Sequence, residues 1–212
     1  FLLRVNINEL PSINESLCSS SMSEKINNSN TLDKSVNFII AYLTFFDFYV
    51  VLNNIGLAYE SFSFIPSQLC MSLHIYHAIV YYKYLTIIDW IHHLVNSFIM
   101  EPISLHYNVG KIVNFCTFII CGLPGGIDYF LLFLVKLNKI EKITEKRINT
   151  YLNSYIRAPG LTVFAYILYY NNLKYKLYNC YFIIFFIIGI MGNGIYFSRR
   201  ININYGYSLA IK

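Results

Sequence analysis

Residues 110–135 read GKIVNFCTFIICGLPGGIDYFLLFLV and carry only one cation, Lys111, and one acid, Asp128. A helix that crosses a bilayer needs about 20 mostly apolar residues, and this stretch supplies them. Working outward, similar runs occupy 36–58, 66–82, 88–105, 157–171 and 178–198, the third and fifth being short or interrupted. The expected fold is all-α: a polytopic integral membrane protein with six transmembrane helices bundled around a polar chamber.

Composition agrees. Of 212 residues, 56% are apolar or aromatic and 13% are charged. Soluble domains average about 25% charged, and a mean hydropathy of +0.48 moves further from them. The net charge of +5 is too thin for a nucleic-acid binder unless clustered, so no nucleic-acid partner is expected. Five scattered cysteines, three inside apolar runs, argue against a disulfide framework or a cysteine zinc site. They read as small buried hydrophobes. The chain opens at Phe1 rather than Met, as a fragment or processed form would.

Residues 1–35 are polar and rich in Ser and Asn, which predicts a flexible tail. The membrane domain then covers 36–200, and 201–212 form a carboxyl-terminal cytoplasmic tail. Six spans place all sixteen Lys and Arg on one side except Lys111, Lys174 and Lys176. The positive-inside rule makes that side, with both termini, cytoplasmic. In the cytoplasmic break 138–156, Ile140, Ile143, Ile148, Tyr151 or Leu152, and Tyr155 recur at helical spacing between charged residues. An amphipathic helix on the membrane surface and a solvated connector both fit this pattern. Arg157-Ala158-Pro159-Gly160 is expected to break the helix at the entrance to the fifth span, and Pro102 to end the third.

Ionisable groups at bilayer depth cost at least about 2.5–3.5 kcal/mol each, so each needs a reason. Span two runs towards Lys83, which puts His77 and His74 about 9 and 13 Å before its exit. Span three enters near Asp89 and carries His92 and His93 in its first turns. Span four leaves at Lys136, about 12 Å beyond Asp128. Three helices therefore deliver His74, His77, His92, His93 and Asp128 to one layer on the cytoplasmic side. His74 and His77 share a helix face, and Asp89 is spaced to hydrogen-bond His93. Gly122-Leu123-Pro124-Gly125-Gly126 should interrupt or kink the fourth helix, which is tolerated where backbone lines a cavity. His92, His93 and Asp128 are the candidate catalytic groups. His74, His77 and Asp89 read either as substrate-binding groups or, for the two histidines, as satisfied polar residues between packed helices. Asp47 lines the cavity or pairs within the bundle. Glu101 and His106 sit near the opposite surface and are expected to be solvated.

The stretch Asp89-Trp90-Ile91-His92-His93-Leu94-Val95, followed one span later by Asp128, resembles the TLC (TRAM/Lag1/CLN8) family. The resemblance covers about 36–200 and implies six spans in the endoplasmic reticulum and a role in lipid metabolism. In the family's ceramide synthases the histidine pair serves acyl transfer from acyl-CoA to a sphingoid amine. The resemblance puts that role on His92 and His93, with Asp128 as the final acid of the second signature. Where ceramide synthases carry a His-Asp-x-Ser-Asp pattern, this chain reads Pro124-Gly125-Gly126-Ile127-Asp128.

Two functions follow as expectations. One is a membrane acyltransferase with acyl-CoA as co-substrate and membrane lipid as partner, a neutral imidazole taking the nucleophile's proton. The other is a non-catalytic protein that binds, senses or moves lipid in the same chamber. No bound cofactor is expected. Five histidines are too few for di-iron hydroxylases or desaturases, so no metal site is expected either.

Overall fold

The computed structural model describes residues 20–83 and 85–210, with side chains from Ser35 onward. Among the described residues every element is helical, and six helical rods follow one another. These are α1 (Ser20–Asn53), α2 (Ile65–Val80), α3 (87–106), α4 (Lys111–Lys136), α5 (142–175) and α6 (Cys180–Ala210). Ser35–Asn53, Lys111–Lys136 and Cys180–Ala210 are long and apolar enough to cross a membrane. The chain is an all-α membrane protein.

Prolines explain how α3, α4 and α5 stay continuous. Each holds one π-helical turn, Val95–Met100, Phe118–Gly122 and Leu152–Arg157, and each turn ends two residues before a proline: Pro102, Pro124 and Pro159. Proline has no N–H, and its ring clashes with the carbonyl four residues earlier. In all three helices the residue before the proline donates five residues back instead: Glu101 to Asn96, Leu123 to Phe118, Ala158 to Asn153. The wider turn takes up the clash. Pro102 therefore does not end α3, Pro159 does not break α5, and the Gly–Pro run does not interrupt α4. In a regular helix the Ile120 carbonyl would accept from residue 124. Arg157 Nη2, from α5, donates to it at 2.9 Å.

Left-handed residues end three rods: Asn108, Asn138 and Lys176, with φ of 47°, 54° and 50°. The links α1–α2, α3–α4 and α5–α6 gather at one end. There Ile112 N–H donates to Ala58 O (2.9 Å), Tyr59 Oη to Leu168 O (2.9 Å), and Tyr178 Oη to Tyr107 O (3.2 Å). Burial, and then the neighbouring Tyr178, raise the Tyr59 phenol above its ordinary pKa. Gly110 allows this convergence, since its φ is 103° and a Cβ there would lie 2.6 Å from Tyr59 Cα. Short links at alternating ends make successive rods antiparallel. α1 packs along α4, and α5 along α6. Gly122 lets α1 approach closely, because a Cβ there would lie 3.0 Å from Ala41 Cα.

Three expectations about the polar segments are corrected. Residues 20–35 of the expected tail belong to α1, while 1–19 lie outside the described residues. Residues 201–210 continue α6 and pack against the start of α5. There Lys146 Nζ donates to Asn204 Oδ1 (2.8 Å) and to Ser208 Oγ, and Arg147 Nε donates to Tyr205 Oη (3.2 Å). The segment 142–157 is neither surface-lying nor a connector: it is the first half of α5, turned inside out. Glu145, Lys146, Asn149, Asn153 and Arg157 are buried, whereas Tyr151 and Tyr155 face outward, Tyr155 at 73% exposure. The polar groups turn inside the bundle, where Leu152 is buried with them, and Ile143 and Ile148 are half-buried.

Arg157 is the centre of that stripe. Its Nη1 donates to Asn153 Oδ1 at 2.6 Å, and its charge acts on the fully buried Asp128 of α4. Arg157→Leu should cost about 3–5 kcal/mol, since it leaves a buried charge without this cation. Thermal unfolding in detergent will show a large drop, and adding Asp128→Asn should recover part of it. Independent, additive effects would contradict the pairing.

Candidate functional site

α3 begins with a capping box that fixes where its histidines point. Thr86 Oγ1 accepts from Asp89 N–H (3.3 Å), while Asp89 Oδ2 accepts from Thr86 N–H (3.1 Å) and Thr86 Oγ1 (2.7 Å). One turn on, His92 and His93 face α2, where Cys70, His74 and His77 lie a turn apart. The ring centroids of His74, His92 and His93 form a near-equilateral triangle with sides of 5.3, 5.3 and 5.2 Å. His77 stands beside it, 6.2 Å from His93, with Tyr129 Oη 3.4 Å from its Nε2. All four rings are buried.

Hydrogen bonds set how the rings present themselves. His74 Nδ1 lies 2.8 Å from the Cys70 carbonyl, which can only accept, so Nδ1 carries the proton and Nε2 offers its lone pair. His92 Nδ1 lies 3.0 Å from Asn193 Oδ1 and 2.7 Å from Asn96 Nδ2. The buried His74 Nε2 and both nitrogens of His93 have no hydrogen-bond partner among the described residues. One nitrogen each from His74, His92 and His93 lies within 4.8 Å of the other two, so the trio could hold a metal ion.

Of the cluster, His74 lines a cavity between α2, α3, α4, α5 and α6, His92 lines a side groove, and His93 lines neither. His74, Asn96 and Asn193 lie at one end of the cavity, and the walls are mostly apolar, with Met100, Ile112, Phe164 and Phe186 among them and Glu101, Ser104 and Thr117 as polar interruptions. On α6 it extends from Asn193 to Phe182, about 16 Å at helical rise. The expected polar chamber is thus an apolar one with a polar cap. A groove between α3 and α6, lined by Ile91, His92, Val95, Asn96, Gly189 and Asn193, reaches the same cap from the side.

The structure brings His74, His77, His92 and His93 together but does not seat the two acids with them. Asp89 does not hydrogen-bond His93. It caps α3 and accepts from Arg200 Nη1 of α6 at 2.8 Å. Asp128 is fully buried beside Arg157 and lines neither the large cavity nor the small one under His77. Asp47 pairs within the bundle, accepting from Asn114 Nδ2 at 2.6 Å. Glu101 lines the cavity instead of meeting solvent, whereas His106 is exposed.

Sequence reasoning passed over four positions. Asn96 and Asn193 flank His92, and the signal for Asn193 was a lone amide between Gly192 and Gly194 in an otherwise apolar span. Cys70 and Cys121 meet at 3.3 Å across α2 and α4, a contact their spacing does not reveal. No family model, curated protein or solved structure matches the chain.

The His74 geometry is open to direct measurement. Nitrogen NMR on histidine-labelled protein should find His74 as the Nδ1–H tautomer at neutral pH, and an Nε2–H signal would contradict the carbonyl bond.

Proposed function

We propose that this chain is a TLC-like membrane protein of lipid metabolism, an acyltransferase that moves an acyl group from acyl-CoA to a lipid amine or hydroxyl. The observation that carries the reading is a buried histidine cluster of which one ring, His74, lines the end of an elongated, mostly apolar cavity. Such a cavity suits an acyl chain, with its carbonyl at the cap. The groove between α3 and α6 gives a membrane lipid a sideways route to the same place. Asp89-Trp90-Ile91-His92-His93-Leu94-Val95 supports the TLC likeness, and with it the endoplasmic reticulum.

In this reading all six rods cross the bilayer, with both termini cytoplasmic. α3 is 20 residues long through its π turn, about 30 Å, which matches the hydrocarbon core. Large apolar side chains face outward around the bundle, among them Tyr42 (82%), Ile79 (69%), Phe98 (64%) and Ile188 (67%). A surface of this kind fits lipid contact better than water. Lys136, Lys139, Lys142 and Arg147 are exposed at the histidine-bearing end, where acyl-CoA phosphates would meet them.

The reaction balances on one proton. The nucleophile's nitrogen or oxygen attacks the thioester carbonyl, the new C–N or C–O bond forms, and the C–S bond breaks. His93 takes the nucleophile's proton and returns it to the departing thiolate sulfur. Asn96 and Asn193 offer amide groups at the cap. His93→Ala should abolish transfer in radiolabelled acyl-CoA assays while the protein still folds. Val113→Trp, which fills the cavity wall, should shorten the acyl chains accepted. Undiminished transfer by His93→Ala would reject the reading. Topology is checked with an impermeant maleimide: Lys139→Cys should label from the cytoplasm and Lys176→Cys from the other side.

One observation favours the non-catalytic alternative, a lipid-binding, lipid-sensing or lipid-trafficking protein. Asp128, the acid that the family resemblance assigns to catalysis, lines neither the large cavity nor the small one under His77. Lipid that co-purifies with the chain, with no acyl-CoA consumed, would select it.

A further inference from the structure

We propose that His74, His92 and His93 form a binding site for one divalent transition-metal ion of the zinc class. Three buried imidazoles from two helices each bring one nitrogen within 4.8 Å of the other two. Zinc–nitrogen bonds are about 2.0–2.1 Å, so ligand atoms of a tetrahedral ion stand about 3.4 Å apart. Closing around the ion asks the rings to approach by up to about 1.4 Å, a shift that side-chain torsions supply.

Two further features point to a ligand. Both nitrogens of His93 and the Nε2 of His74 are buried with no hydrogen-bond partner among the described residues, which is costly for imidazole unless something else takes the lone pair. His74 is also held from behind, its Nδ1–H on the Cys70 carbonyl at 2.8 Å. A backbone carbonyl in this position fixes the tautomer and ring direction of a metal-ligating histidine. Asn193 Oδ1, 3.0 Å from His92 Nδ1, can do the same for His92.

The donor set selects the ion. Imidazole suits zinc, copper, iron and nickel, whereas calcium and magnesium require oxygen ligands. Three protein ligands leave one tetrahedral position for water or a substrate oxygen, and His74 opens that position to the cavity. The inference rests on the lipid reading only for what reaches the open position, and not for the ion itself. An imidazole whose lone pair holds the ion no longer takes a proton with it. Metal content therefore decides whether His93 works as a ligand or as a base.

The test uses the full chain, purified in detergent through a tag without histidine and with no chelator. Elemental analysis after zinc loading should find about one ion per chain, and cobalt loading should give the visible bands of a tetrahedral site. His74→Gln and His93→Gln should lose both signals, Asn193→Ala should weaken binding about 10–100-fold, and His106→Gln should keep it. Folded wild-type protein with neither retained zinc nor cobalt bands overturns the proposal, as do glutamine variants that bind like wild type. If those variants fail to fold, the wild-type cobalt spectrum decides alone. Wild-type protein that binds neither zinc nor cobalt yet transfers acyl groups overturns this inference and leaves the proposed function standing, and metal-loaded protein without transfer does the reverse.

Discussion

A guanidinium in the middle of the bundle holds two helices in register. Arg157 reaches from α5 to the Ile120 carbonyl of α4, four residues before Pro124. Nothing in hydrocarbon could satisfy that oxygen, and nothing in hydrocarbon could solvate the arginine. Each solves the other's problem, with Asn153 and the Asp128 charge completing the surroundings. α4 in turn carries the cavity wall from Ile112 to Cys121, so the contact that seats α5 also sets the width of the chamber.

The same economy recurs at each proline. A proline in the middle of an α-helix normally costs about 3 kcal/mol or more. Here each is preceded by a turn one residue wider, which keeps the rod continuous and rotates the side chains beyond it. In α3 that turn begins two residues after His93, so it separates the histidine layer from Met100 and Glu101 deeper in the cavity.

Depth was legible in the sequence, and direction was not. Counting residues from Lys83, Asp89 and Lys136 placed the four histidines in one layer, and they meet there. Which way a residue faces depends on its neighbours, and two cases show it. Asp128 is fully buried but lines neither cavity by the histidines, and its charge acts on Arg157 of α5. The 142–157 segment has a correct helical period, yet its polar stripe is the buried one. Periodicity gives the stripe; only knowledge of the surrounding solvent says which side of it is inside. The amides Asn96 and Asn193 were overlooked because neutral polar residues raise no electrostatic alarm, although both stand at the cap of the cavity.

The carboxyl end of α6 fastens two partners at once. Arg200 holds the first turn of α3 through Asp89, and Asn204 and Ser208 hold Lys146 at the start of α5. It acts as a tie-bar between α3 and α5. Any hinge motion that widens the gap between α3 and α6 must first stretch the Arg200–Asp89 pair. That restraint lies about two turns beyond Asn193, outside the residues that line the groove, so it can be loosened without touching the cavity itself.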